Sequence, residues 1–512
     1  MSDVCVIGSG FAGSTVALKL AEAGAHVTIL EAGIDHRAEK PPHAEVRYTN
    51  VGPITYVLRD RTQRCIGGTS EFWYGNTPRF HSNDLRMRSL HGIADDWPLT
   101  LGELEPHLCE AERLLGVAGN SDVDPYAAPR SAPFPQPGWP LSHADKIIRD
   151  GLASAGIHVT STPQARNTQP HGGRPACTNL GVCNQCPTQA RPGPTTTTLR
   201  EALATGRVEL VSEATVTRLE TDANGRVVQA VWREPDGRVH LQDADLFVLA
   251  AHVPDSVRLL LHSTSRHAPN GIGNSEDMVG RCFMDHPRHN ARGKLPERTW
   301  PNRVWFQTGA IHHWCDTEDR AARGAHIVEL LNFIGSASPG AIASESDLWG
   351  QPLRDHIRES WGHDIQFHGI IEMLPDRANR ITLDPDEVDV FGVPIAQFDV
   401  RFGDYDRAGM VSAAARMDEM FAILEATDTV HRPMRSGHLE SLYHPSGGLR
   451  MGSDPETSVT DAWGRVHSTR NLFVAGTALF PTIGTSNPTL TMIALALRTA
   501  ERINALGARG EI

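Results

Sequence analysis

Val4 to Gly33 reads VCVIGSGFAGSTVALKLAEAGAHVTILEAG, and the order of residue types in it decides the fold. Val4 to Ile7 is a short apolar run rich in β-branched residues, the composition of a buried parallel strand. Gly8, Gly10 and Gly13 follow in G-x-G-x-x-G spacing. Gly8 suits a tight turn, Gly10 a close backbone approach to a pyrophosphate, and Gly13 close packing of a helix on the strand. A helix over Ala12 to Ala23 then aims its first N–H groups at phosphate oxygens. His26 to Leu30 reads as a second strand, and Glu31 at its end is placed to bond a ribose hydroxyl. Strand, glycines, helix, strand and acid in this order predict an α/β dinucleotide-binding unit rather than an isolated Gly-rich turn.

The chain has 512 residues, enough for two large domains or one with a big insertion. Its net charge of −13, with no basic cluster, argues against nucleic acid as a partner. No run of about twenty uninterrupted apolar residues occurs, so no membrane span is expected. The first residues already belong to the first strand, which leaves no room for a signal peptide. A cytoplasmic location is therefore expected, with export on a partner's signal left open. Of the eight cysteines, Cys5, Cys65, Cys109, Cys282 and Cys315 are scattered and read as buried small hydrophobes or inert thiols.

Further strand-like runs lie at Val208 to Leu219, Val227 to Trp232 and Leu246 to Ala250. DANGR at 222–226 reads as a hairpin turn between two of them. Val257 to His262 reads as a helix start after a turn at Pro254, and the Pro-rich stretch Pro125 to Pro140 as an irregular surface excursion. Alternating runs at His326 to Phe333, Ile365 to Met373 and Ile395 to Val400 suggest an antiparallel sheet, with a helix at Arg407 to Ala426. The C-terminal segment returns to nucleotide-fold character. The expected architecture is α/β and discontinuous. A Rossmann-like dinucleotide-binding domain comes from 1–90, 170–290 and 441–512. A substrate-binding domain with an antiparallel sheet comes from 91–169 and 291–440.

Several strings carry a resemblance: RCIGGTSEFWYGNTPRF (64–80), DWPLTLGELEPHLCEAERLLGV (96–117), NGIGNSEDMVGRCFMDHP (270–287), LPDRANRITLD (374–384), YHPSGGLRMG (443–452) and NLFVAGTALFPTIGTSNPTLTMIALALR (471–498). With the N-terminal fingerprint they resemble the glucose–methanol–choline family of flavin oxidoreductases. The resemblance runs along nearly the whole chain. It is nearest to the FAD-dependent sugar dehydrogenase catalytic subunits, such as glucose and gluconate dehydrogenases, and more distant to pyranose oxidases.

The resemblance implies that the Rossmann-like domain binds FAD, toward which Glu31-Ala32-Gly33 also leans. It implies that Gly67, Gly68, Thr69 and Ser70 pass beside the flavin, and adjacent glycines independently let backbone N–H groups approach a ring or phosphate. Some relatives link the flavin to a His just after this loop. That position is Phe72 here, so the FAD is expected to be non-covalent. Val216 is implied near the adenine, Ala250 at a strand end near the cofactor, and Gly476 and Thr477 at the pyrophosphate. Val216 and Ala250 read equally well as core residues. No chemical role falls to His286.

Alcohol oxidation by a flavin needs a group that takes the hydroxyl proton while hydride leaves for flavin N5, and a second that orients the hydroxyl. An imidazole near its ordinary pKa of about 6.5 suits the first task. By resemblance the base is His444, in H-x-x-G-x-x-x-M-G, and its partner is Asn487. Pro488 is expected at the first position of the last helix, where its missing N–H costs nothing. Asn487, Pro488 and Thr489 then face the cofactor.

Cys177, Cys183 and Cys186 lie in C-x5-C-x2-C spacing before a Pro. Three thiolates so close suit an iron–sulfur cluster or zinc. In the sugar dehydrogenases the corresponding segment holds a three-iron cluster that relays electrons to a cytochrome. This chain has Thr178 where relatives carry a second Cys, and a shorter final gap, so a reduced cysteine loop is the other reading. The expected activity is FAD-dependent oxidation of an alcohol group of a sugar, glycoside or polyol. The alternatives are a non-sugar or natural-product alcohol, or an electron-transfer subunit with an iron–sulfur cluster. The acceptor is oxygen, a quinone or a redox partner protein.

Overall fold

A computed structural model describes residues 3–35, 46–58, 62–120, 124–181, 183–303 and 306–512. Its central sheet has five strands in the order Leu472–Val474, Leu246–Leu249, Asp3–Ile7, His26–Leu30, Val208–Val211. All neighbours are parallel, as the apolar β-branched runs predict. Alternate residues serve opposite faces. Val4, Val6, Val27, Ile29 and Val248 pack with Val16, Leu20 and Ala500 of the helices Phe11–Glu22 and Thr489–Ala508. Ile7, Leu30, Phe247 and Leu249 pack on the other side with Leu219, Val227 and Ala230. The latter belong to an antiparallel layer whose strands Thr215–Thr221 and Val227–Arg233 are joined by the expected hairpin, closed by Asp222 N–H donating to Arg226 O at 2.8 Å for the return strand.

A second, six-stranded sheet is antiparallel throughout. Its order is Thr427–Pro433, Arg288–Lys294, Asp364–Ile371, His326–Leu331, Gln307–Ile311, Thr160–Ser161. The helix Asp404–Ile423 covers one face, packing Met417 and Phe421 on Ile365 and Phe367. The other face looks onto a cavity. The strand Tyr48–Asn50 pairs with Pro394–Asp399, so the N-terminal piece also contributes to the sheet region of the molecule.

Several boundaries differ from the sequence reading. The run Val208 to Leu219 is broken into two strands at residues 212–214, because Glu31 O takes the N–H of Ala214 and turns the chain. Pro254 lies inside the first turn of the helix Val253–His262, not in a turn before it, since a first-turn Pro loses no hydrogen bond. The helix expected from Arg407 starts at Asp404, where Asp406 accepts the Gly403 N–H at 2.8 Å and two acids meet the positive helix end. The last helix starts at Thr489, which makes Pro488 its cap rather than its first residue.

Two buried cations hold loops together. Arg320, with no exposed surface, bonds Asp84 at 2.6 Å, Glu372 at 2.9 Å and Cys315 O at 2.6 Å. Arg166 stacks its guanidinium on Trp139 and lies within electrostatic reach of the thiols of Cys177, Cys183 and Cys186. Among the described residues no group of three or more His, Cys, Asp or Glu side chains meets the geometry of a metal site. Cys177 Sγ accepts the Asn179 N–H at 3.2 Å, and Arg191 Nε donates to Cys183 O at 2.7 Å. Burial pushes the Cys183 thiol up to about 12, with Arg166 nearby opposing the rise.

Two outcomes follow. Arg320→Met leaves two buried carboxylates unpaired and is expected to cost about 3–5 kcal/mol. Arg358→Met breaks only an exposed pair with Asp355 and is expected to cost under about 1 kcal/mol. Equal shifts of the urea midpoint for the two variants would count against the clamp. Iron analysis of protein purified without oxygen decides between the two readings of the cysteine loop: about three irons per chain for a cluster, none above background for a reduced loop.

Candidate active site

The nucleotide unit is built by close approach at the ends of the central strands. Gly8 N–H donates to Leu30 O at 2.9 Å, and Ala250 N–H to Ile7 O at 2.9 Å. Gly8 has φ +104°, and a Cβ there would lie 2.6 Å from Ala250 O; one on Gly13 would lie 2.0 Å from Gly8 O. Only glycine allows strand, turn and helix to meet this tightly. The helix Phe11–Glu22 begins at Gly10 with no side-chain cap, so its first N–H groups face the cavity.

Glu31 ends the second strand in a buried position. It accepts from Ser9 Oγ at 2.5 Å, Ser9 N at 3.0 Å and Gly33 N at 2.9 Å. Burial raises its pKa, and these bonds oppose the rise. Ser9 Oγ in turn accepts the Gly67 N–H at 2.8 Å, tying the fingerprint to the second glycine loop. Ser9 was not singled out in the sequence; its position inside G-x-G is the only signal it gives.

Gly8, Gly10, Glu31, Gly68, Thr69, Ser70, Val216, Ala250, Gly476 and Thr477 line one cavity. Gly13 and Gly67 stand behind its wall, where they permit packing against Gly8 and Glu71. This cavity meets a second through shared lining by Thr69, Ser70, His252, Thr477 and Met492. An uncapped helix start, a glycine cradle and a strand-end carboxylate on one elongated space fit FAD. Bound there, FAD would be held by these lining residues.

The second cavity brings together His444, Asn487, Pro488 and Thr489, with Phe72 and Trp73 from the glycine loop. His444 is set by its backbone. Ser446 exchanges main-chain bonds with Met284 at 2.8 and 2.9 Å, and Thr477 Oγ1 donates to Pro445 O at 2.7 Å. Tyr443 just before it takes φ +66°, a strained conformation for an aromatic residue. The His444 ring lies with its Nδ1 2.9 Å from Nδ1 of His286. Burial pushes its pKa well below the ordinary histidine value, helped by His286 and His368 nearby. It is thus neutral at ordinary pH, the state a proton acceptor needs.

Asn487 precedes the cap of the last helix. Its buried Oδ1 has no partner within the protein, while its side chain hydrogen-bonds the Glu329 carboxyl. An orphaned acceptor beside a neutral imidazole, on the wall of a cofactor cavity, fits a place for a substrate hydroxyl. Trp73 is fixed by Nε1 donating to Pro192 O at 2.7 Å, with its ring edge-on to Phe11.

Sequence reasoning missed three further lining residues. Asn290, His368 and Glu329 are cross-strand neighbours in one row of the antiparallel sheet. All three line the second cavity. Burial pushes Glu329 up to about 7, against hydrogen bonds from Asn76, Gln307 and Asn487, and pushes His368 down to about 3. The available signal was polar residues recurring at alternate positions in otherwise apolar strands, Glu329 in HIVELL and His368 in DIQFHGII.

Comparison with known proteins accords with this geometry. Models described as GMC oxidoreductase match residues 138–288 and 375–496, and one described as FAD binding domain matches 3–38. The chain is 31% identical to the fructose dehydrogenase large subunit of Gluconobacter japonicus, over 98% of this chain and 97% of that protein. It is 28% identical to the 6'''-hydroxyparomomycin C oxidase of Streptomyces lividus, over 98% and 91%. A solved formate oxidase variant from Aspergillus oryzae shares the fold, with a TM-score of 0.68, 16% identity and 98% of each chain covered. Similarity of this extent, falling on both family models and on the nucleotide unit, means that the chain belongs to the GMC oxidoreductase family, FAD-dependent enzymes that act on CH–OH groups.

Proposed function

We propose that the enzyme oxidises an alcohol group of a sugar, glycoside or polyol, with His444 as proton acceptor and Asn487 orienting the hydroxyl. The observation that carries this is that one cavity is lined by both a buried neutral imidazole and an orphaned amide oxygen. Bound FAD supplies a hydride acceptor. The chain's own residues do the rest. Asn487 Oδ1 holds the substrate near the flavin end of the cavity, and His444 takes the hydroxyl proton as the C–H bond gives up its hydride. Asn290, His368 and Glu329 offer further partners for a polyhydroxylated substrate across the cavity.

A carbohydrate is favoured because the relatives include a fructose dehydrogenase and a paromomycin-type oxidase. The second of these keeps an aminoglycoside as the other reading, favoured by the Glu329 carboxyl in the cavity wall. Phe72 offers no nucleophile, so the FAD is held non-covalently. The cysteine loop keeps both its readings, a cluster on Cys177, Cys183 and Cys186 or a reduced loop, and the acceptor is oxygen, a quinone or a redox partner protein. We propose a cytoplasmic location, with export on a partner's signal left open. The flavin unit drawn from 1–90, 170–290 and 441–512, and the sheet unit from 91–169 and 291–440, remain our division of the chain.

Anaerobic stopped-flow reduction with a panel of D-fructose, D-glucose, glycerol and paromamine tests this reading. His444→Ala is expected to keep FAD but slow flavin reduction by about 10²–10⁴-fold. Asn487→Ala is expected to slow it as well, through lost positioning. Parental rates in the His444 variant would remove it as the base. The pH profile gives a separate check. Because burial lowers the His444 pKa, the ring stays neutral as pH falls; in a Glu329→Gln background, which removes the carboxyl raised to about 7, reduction by free enzyme and substrate should hold steady through pH about 6.5, where an ordinary histidine loses half its base form. A half-maximal rate at or above that pH would contradict the burial argument.

A further inference from the structure

A neutral imidazole carries one proton and must place it on one of two nitrogens, and only the bare nitrogen can act as a base. His286 allows that choice to be read. It has no exposed surface, and its Nε2 lies 2.9 Å from the carbonyl oxygen of Gly484. A carbonyl oxygen only accepts, so Nε2 of His286 holds the proton. The Nδ1 of neutral His286 is then bare, 2.9 Å from Nδ1 of His444, with the two rings at 89°. Two bare nitrogens at that distance would repel, so Nδ1 of His444 carries its proton. Its Nε2, on the opposite edge of the ring, is left bare, and His444 lines the cavity beside Asn487.

The reverse arrangement needs a protonated His286, donating from Nδ1 as well. The charged groups around the pair do not favour it. Asp285 is occupied by Tyr56 Oη at 2.8 Å, Ser441 Oγ at 2.6 Å and the His286 main-chain N–H at 2.7 Å. Asp84 is engaged by Arg320. His368 faces His444 as a neutral ring. Burial pushes His286 itself down to about 4.

We infer that His286 is a positioning residue for the reaction: by donating to Gly484 and accepting from His444 Nδ1–H, it fixes His444 as the tautomer whose bare Nε2 receives the hydroxyl proton of the substrate. This rests on the reading of His444 as the base. In the oxidation the proton moves from the substrate oxygen to His444 Nε2 while the C–H electron pair leaves as hydride to bound FAD, so a carbonyl forms and charge balances.

The test uses holoenzyme labelled with [15N]histidine, with the His444 signals assigned by their loss in His444→Gln. A protonated Nδ1 and bare Nε2 are expected; the opposite tautomer overturns the inference, whatever the variants do. His286→Phe removes the acceptor. It should keep FAD and the substrate dissociation constant but reduce its flavin about 10²-fold or more slowly. His286→Asn, whose Oδ1 can take the Nδ1–H, should stay within about tenfold of the parent. An FAD-loaded Phe variant at the parental rate, or an Asn variant as slow as the Phe one, sinks the proposal. If His444→Ala itself reduces at the parental rate, the base reading fails; if it is slow while His286→Phe is normal, only this inference does.

Discussion

A guanidinium with no exposed surface, Arg320, is caught between the carboxylates of Asp84 and Glu372. In a low-dielectric interior neither charge is tolerated alone, so the segments bearing them must arrive together. Glu372 follows directly on a strand of the antiparallel sheet, and Asp84 follows the second glycine loop. Asp84 also accepts the His81 N–H at 2.8 Å, and its own carbonyl takes the Thr482 hydroxyl at 2.7 Å. A Cβ on Gly484 would lie 2.6 Å from the Asp84 carboxyl carbon, so the 482–487 loop rests on the clamp. That same Gly484 offers its carbonyl to His286, which meets His444. Chains of packed contact therefore run from a buried ion cluster to the ring that takes the proton.

The cofactor cavity follows from a different constraint, the parallel direction of the central strands. Ile7, Leu30, Leu249 and Val474 close their strands at one edge of the sheet, and Gly8, Glu31, Ala250 and Gly476 come just beyond. These four positions are far apart in sequence and adjacent in space because every strand ends on the same side. His444 is not placed this way. It hangs from the paired backbone of Met284 and Ser446 and from the Thr477 hydroxyl, so its position depends on packing between the two sheets' loops.

This contrast explains what was legible in the sequence. The parallel core was readable from local order, because strand, glycine turn, helix and strand-end acid each obey short-range rules, and His26–Leu30 falls where expected. The hairpin at 222–226 and the alternation in the antiparallel strands were readable for the same reason. The sheet residues that line the cavity were not. Asn290, His368 and Glu329 come together only through strand register, which no local pattern specifies. Ser9 and His286 were silent because their importance lies in hydrogen bonds to partners 22 and 158 residues away. The cysteine spacing was legible as a cluster of thiols, but only the fold shows that a buried guanidinium lies among them.

Burial, more than net charge, sets the chemistry of the pocket. His286, His368 and His444 are all desolvated, and all are held below the ordinary histidine range. For His444 this has two consequences that pull together. The ring is free to accept a proton at pH values where an exposed histidine would already be charged. Once protonated, it is a stronger acid than an exposed imidazolium, so it gives the proton up readily and is restored for the next substrate. Glu329, which lines the same cavity, is pushed the other way: burial has raised its carboxyl to about 7. The usual order of the two groups is thereby inverted, because desolvation favours the neutral form of each, the bare imidazole and the protonated carboxyl.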